Sequence, residues 1–141
     1  MSQKSKTIQE FKSISLQQST LDVTNITGAL ALNTTHSGDF LSLNATSGCA
    51  ITLPTPTAGL VFNFYVNNTG AHTLTAPSAL INGAITNSVF STSANLATGT
   101  AKRVVSTTAG SSVGDNFTLT ANGSKYFLTG CVANFNALKF A

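Results

Sequence analysis

Six side chains in this 141-residue chain could take part in proton transfer near neutral pH: Glu10, Asp22, His36, Asp39, His72 and Asp115. Acid–base catalysis needs such a group held beside a partner that tunes its proton affinity. His36 and Asp39 lie three apart in the segment from Thr34 to Asp39, a spacing that a hydrogen bond could close. The simpler reading is a turn aspartate beside a solvated histidine. His72 falls on the apolar stripe of its segment, the place of a satisfied core or interface histidine. Cys49 and Cys131 are the only cysteines, too few for a metal cage and too far apart for a Cys-x-x-Cys redox pair. They read as two unbonded, buried thiols of a reducing compartment. Gly110-Ser111-Ser112-Val113-Gly114 has the composition of a phosphate-binding loop but lacks the lysine and the helix that would follow, so it reads as a connector. No nucleophile elbow, P-loop or zincin motif is present. The expectation is a protein that is not an enzyme and needs neither cofactor nor metal.

Composition points the same way. Only 8% of residues are charged, against about 25% in a typical soluble domain. A surface of hydroxyls and amides hydrogen-bonds to a neighbour with little charge to desolvate, which suits assembly. The net charge of +3 is unevenly placed. Residues 1–12 carry Lys4, Lys6 and Lys12 against Glu10, whereas Ser13 to Ala101 hold Asp22 and Asp39 and no Lys or Arg. Lys102, Arg103, Lys125 and Lys139 against Asp115 complete the balance. Nucleic-acid binding would cluster basic residues among stacking aromatics, but only Lys102 and Arg103 are adjacent, so no nucleic-acid partner is expected. No apolar run is long enough to span a bilayer and no apolar h-region follows Lys12, so neither membrane insertion nor export is expected.

The elements that would carry these residues are short strands. Residues 1–20 read as an arm, polar with scattered Ile8, Phe11, Ile14 and Leu16, extended or disordered when free and ordered on a partner. From Leu21 the hydrophobic period is two, punctuated by Gly, Asn, Pro and Ser. Leu41 and Leu43, then Ile51 and Leu53, mark two strands. Leu60, Phe62, Phe64 and Val66 form the cleanest stripe, and Asn67-Asn68-Thr69-Gly70 reads as the turn of a β-hairpin that returns along His72, Leu74 and Ala76. Residues 88–100 read as a long loop or an edge. Further strands are expected at Arg103 to Thr107, Asn116 to Thr120 and Lys125 to Val132, the last two joined as a hairpin through Asn122-Gly123. The predicted fold is all-β: a single β-sandwich, jelly-roll-like or small barrel domain over residues 21–141, with an N-terminal extended arm.

Two stretches go beyond a generic β pattern. Ala50-Ile51-Thr52-Leu53-Pro54, followed by Ala58-Gly59-Leu60-Val61-Phe62-Asn63-Phe64 and by Ile81-Asn82-Gly83, resembles a module of tailed-bacteriophage virion proteins. There a strand ending in Leu-Pro leads through a turn to Gly and a Phe-rich strand. Gly114-Asp115-Asn116-Phe117-Thr118-Leu119 and Asn122-Gly123-Ser124-Lys125-Tyr126-Phe127 are similar to its closing hairpin, with Tyr126 where that family often has Trp. A short chain with an N-terminal arm resembles in particular the capsid decoration, or cement, proteins. That resemblance implies a homotrimer on the exterior of the head shell, made in the host cytoplasm, whose partner is the major capsid protein. The arm residues Lys4, Lys6, Ile8, Phe11, Lys12, Ile14 and Leu16 would make the contact. Two alternatives stay open: a tail or fibre component binding a host receptor or glycan, for which Tyr65 and Tyr126 are the available aromatic platforms, and a small shell-forming capsid protein.

Overall fold

The computed structural model describes residues 22–78, 80–87, 99–102, 104–107, 111–133 and 137–140. Among the described residues, twelve strands form two sheets. In chain order they are β1 (Val23–Ile26), β2 (Leu30–Ala31), β3 (Phe40–Leu43), β4 (Ala50–Thr52), β5 (Val61–Val66), β6 (Thr73–Thr75), β7 (Ile81–Asn87), β8 (Gly99–Lys102), β9 (Val104–Thr107), β10 (Asn116–Ala121), β11 (Tyr126–Val132) and β12 (Leu138–Phe140). The larger sheet has the order β1-β3-β5-β10-β11-β7-β8 and the smaller β12-β9-β6-β4-β2. The all-β expectation is met, with a single-turn 3-10 segment at Thr34–His36.

The first six strands alternate between the sheets. β1, β3 and β5 run parallel in the larger one, and β2, β4 and β6 run parallel in the smaller. The chain thus winds through three coils, each contributing one strand to each layer. Parallel neighbours need a long crossover, and here the other sheet supplies it. Val23 pairs with Phe40 and Phe40 with Asn63, offsets of 17 and 23 residues. Leu30 pairs with Ile51 and Ile51 with Leu74, offsets of 21 and 23. These offsets expose a repeat in the sequence. Leu30-Ala31-Leu32, Ile51-Thr52-Leu53-Pro54 and Leu74-Thr75-Ala76-Pro77 occupy one place in successive coils, each after a Gly-containing corner at Gly28, Gly48 or Gly70.

The expected hairpin over residues 60–76 therefore does not form: β5 and β6 lie in different sheets. The turn residues are claimed by the previous coil, since the amides of Asn67 and Asn68 both donate to the carbonyl of Leu43, at 2.9 and 3.0 Å. Pairing β5 with β6 would also leave two apolar stripes on one layer with nothing to cover them. Placing Phe62, Phe64 and Val66 in one sheet and Leu74 and Ala76 in the other lets both stripes enter a single core cluster. The second expected hairpin does form. β10 and β11 pair antiparallel, Ala121 opposite Tyr126, with Gly123 at φ +101° in the connection.

The core is built from the inward positions of both sheets, with Phe62, Phe64, Phe117, Leu41, Ile51, Leu74 and Tyr126 almost wholly buried. Phe64 stacks on Phe117 at 5.2 Å. Tyr126 packs near Phe62, and its hydroxyl donates to the Pro54 carbonyl at 2.8 Å, tying the closing hairpin to the end of β4. Asp115 is buried before β10. Its carboxylate accepts from the amides of Ser112 (2.8 Å) and Ala133 (2.7 Å), fastening the β10 entry to the end of β11.

Candidate binding surface

Four of the proton-carrying residues, His36, Asp39, His72 and Asp115, make structural contacts, and Glu10 lies outside the described residues. His36 Nδ1 lies within hydrogen-bond distance of the Asn33 amide and side chain, forming a capping box on the 3-10 turn. Asp39 instead faces Thr24, whose hydroxyl donates to its Oδ2 at 3.5 Å, so the side chains of His36 and Asp39 make two separate contacts rather than the pair that their spacing allows. His72 is fully buried at a coil corner. Its Nδ1 accepts from the Cys49 amide (3.0 Å) and its Nε2 donates to the Asn68 carbonyl (2.7 Å), an arrangement that fixes the tautomer and bridges two successive corners. Among the described residues no three His, Cys, Asp or Glu side chains gather as a metal site would require.

The two thiols are free. Cys49 is buried, donates to the Ile26 carbonyl at 3.2 Å, and has its thiol pushed up by burial, partly offset by backbone hydrogen bonds from Asn44 and Ala45. Cys131 differs from expectation: it sits half-buried on the outward side of β11. Tyr126 also departs from its candidate role. It cannot serve as an exposed platform, because burial encloses it fully and raises its phenol to about 12.

What remains is the outer face of the larger sheet. Alternation turns Val23 and Asn25 of β1, Phe40 and Ser42 of β3, Val61, Asn63 and Tyr65 of β5, and Asn116, Thr118 and Thr120 of β10 away from the core. Phe127 and Thr129 extend the row on β11. None of these residues is charged. Val23 is 65% exposed, Phe127 42% and Phe40 36%, high values for large apolar side chains. Phe40 and Tyr65 meet at 5.4 Å with their rings tilted by 43°. Tyr65 donates to the Asn67 side chain at 3.3 Å, two residues along the chain, and Thr118 donates across from β10 to the Asn63 side chain of β5 at 3.1 Å. Ser42, between Asn25 and Tyr65 in register, is buried on this outward side. On these strands the face presents exposed apolar side chains among uncharged polar ones.

Sequence reasoning missed this surface because it assigned the period-two stripes without knowing which strands share a sheet. Phe40 and Tyr65 are 25 residues apart, and only the parallel register brings them together. The predicted site residues Lys4, Lys6, Ile8, Phe11, Lys12, Ile14 and Leu16 lie outside the described residues, as does the stretch 88–98 of the expected loop. Comparison with protein-family models, curated proteins and solved structures finds no match for this chain.

Proposed function

We propose that this chain is a virion structural protein, a decoration protein that binds the major capsid protein on the outside of a tailed-phage head and stabilises the shell. The observation that carries the reading is the uncharged outer face formed by β1, β3, β5, β10 and β11, with Val23, Phe40 and Phe127 open to contact. Covering a large apolar side chain fully is worth about 1.5–3 kcal/mol, and an uncharged surround lets that gain stand without desolvating ions. A protein that binds assembled shell better than free subunits stabilises the shell by mass action, with no catalysis. The Leu-Pro and Asn-Gly motifs described above support the phage assignment by resemblance, and with it a homotrimer and a shell contact from the N-terminal arm.

The test is co-sedimentation of the purified protein with expanded heads stripped of decoration, with copy number by quantitative mass spectrometry. Hundreds of copies per head are expected, and Phe40→Ser with Phe127→Ser should weaken binding at least tenfold, about 1.4 kcal/mol. Absence of binding at micromolar concentration overturns the reading. A handful of copies on intact particles would favour the fibre alternative.

A further inference from the structure

Asparagine followed by glycine occurs twice in this chain, at Asn82-Gly83 and at Asn122-Gly123, and the fold gives the two pairs opposite surroundings. They share one intramolecular reaction. The backbone nitrogen of the residue after an asparagine can close a five-membered ring on the side-chain carbonyl carbon, and glycine leaves that nitrogen without a Cβ to shield it. Closing the ring turns the Asn–Gly backbone out of the extended form, so the surroundings decide which pair reacts.

Asn82 and Gly83 lie within β7, where Gly83 pairs with Leu128 of β11 and with Gly99 of β8. Turning the backbone there breaks the ladder on both sides. Gly83 is also packed so closely that a Cβ on it would lie 2.2 Å from the Leu128 carbonyl oxygen. Asn122 and Gly123 instead occupy the connection between β10 and β11, where residues 122–125 are all exposed. Among the described residues the Gly123 amide donates to no acceptor. The Asn122 side-chain oxygen accepts from the Ser124 amide at 3.0 Å, the Ser124 hydroxyl at 3.1 Å and the Lys125 amide at 2.9 Å. These donors surround the atom that becomes negative when a nucleophile adds to its carbon, the arrangement of an oxyanion hole. They bind the charged oxygen more strongly than the neutral carbonyl, so the turn favours the intermediate over the asparagine.

We propose that Asn122 is a site of spontaneous modification, converted through a succinimide to aspartate and isoaspartate, while the sheet holds Asn82 inert. Hydroxide removes the Gly123 N–H proton, the nitrogen forms a bond to Asn122 Cγ, and the Cγ–Nδ2 bond breaks to release ammonia with a proton taken from water. A further water opens the ring. Cleavage of the new N–Cγ bond gives aspartate, and cleavage at the Asn122 main-chain carbonyl gives isoaspartate. Either product carries a new carboxylate just beyond the Thr120–Phe127 and Ala121–Tyr126 pairs, and lowers the net charge of +3 by one. Aspartate keeps the acceptor that the Ser124 and Lys125 amides use, whereas isoaspartate adds a main-chain carbon to a turn that must set Ala121 opposite Tyr126. This chemistry needs no partner and stands apart from the shell reading.

The test ages the full-length protein in mildly alkaline buffer beside free peptides of residues 118–127 and 78–87, with peptide mapping by mass spectrometry and isoaspartyl methyltransferase labelling as readouts. Asn122 in the folded protein is expected to react at least as fast as in its peptide, in proportion to hydroxide, and to yield both products. Asn82 is expected to react at least tenfold more slowly in the protein than in its peptide, and Gly123→Ala should slow reaction at Asn122 at least tenfold. A folded protein that reacts at Asn122 tenfold more slowly than its peptide overturns the proposal, because the turn then protects the asparagine. Equal rates at Asn82 and Asn122 in the folded protein also overturn it, since the fold then makes no distinction between them.

Discussion

The coiled half of the molecule, β1 to β6, and the closing hairpin, β10 and β11, use the same residue types for different ends. In the hairpin, strands adjacent in sequence pair across a short connection, and Gly123 is needed only for its backbone angle: a Cβ there would meet nothing closer than 3.6 Å. In the coiled half no strand pairs with its neighbour in sequence, and the layers are joined at corners stacked almost in contact. A Cβ on Gly48, at φ +92°, would come within 2.2 Å of the Ala71 carbonyl oxygen, and one on Gly70 within 2.1 Å of that of Ala45. Gly123 thus answers a local backbone requirement, whereas Gly48 and Gly70 answer the close packing between coils.

Matched substitutions separate the two. Gly48→Ala combines an unfavourable dihedral with a clash against backbone that has no rotamer to retreat to, and should destabilise by about 4 kcal/mol or more. Gly123→Ala meets only the dihedral term and should lose about 1–2 kcal/mol. Urea denaturation of both variants measures the gap, and equal losses would break the distinction. A smaller effect is expected at His72. Replacing it with Ala leaves the buried Cys49 amide and the Asn68 carbonyl without the ring that bridges them, at about 3 kcal/mol including the cavity. His72→Gln, which can keep one of the two bonds, should recover part of that loss. The smallest effect belongs to the hairpin side. Tyr126→Phe removes one hydroxyl and one buried acceptor's partner, about 1 kcal/mol.

Tyr126 also sharpens the comparison through pH. Its phenol is raised by burial from 10.0 to about 12, so the folded state holds its proton more tightly than the unfolded state does. That contribution is fully present below pH 10 and is lost as pH rises through about 12. Thermal melting should therefore fall across this window in the wild type and fall less in Tyr126→Phe, while the two track each other near neutrality.

The hairpin was legible in the sequence because its information is local: Asn122-Gly123 fixes a turn, and alternation on either side fixes which faces meet. The same reasoning failed at Asn67 to Gly70. There the decisive partner, Leu43, lies a whole coil earlier, and a turn signal says nothing about a parallel neighbour. The repeat of Leu30, Ile51 and Leu74 carried that information. Its units are only three or four residues long and its offsets vary between 21 and 23, so it reads as unremarkable alternation until the register is known. The surface formed by Phe40, Tyr65 and Phe127 inherits the same difficulty, since each aromatic comes from a different strand.

Because each early coil passes once through both layers, the molecule has a direction under mechanical load. A pull on the chain ahead of Asp22 reaches β1 first, a strand that among the described residues pairs with β3 alone, and then β2, which among them pairs with β4 alone. Tension there removes one coil at a time, each release exposing a fresh edge while the coils behind stay intact. β7 stands differently, gripped by β11 on one side and β8 on the other, so it cannot yield without breaking two ladders together. An attachment made through the beginning of the chain would give way gradually, and one made through the broad sheet would hold until the whole domain fails.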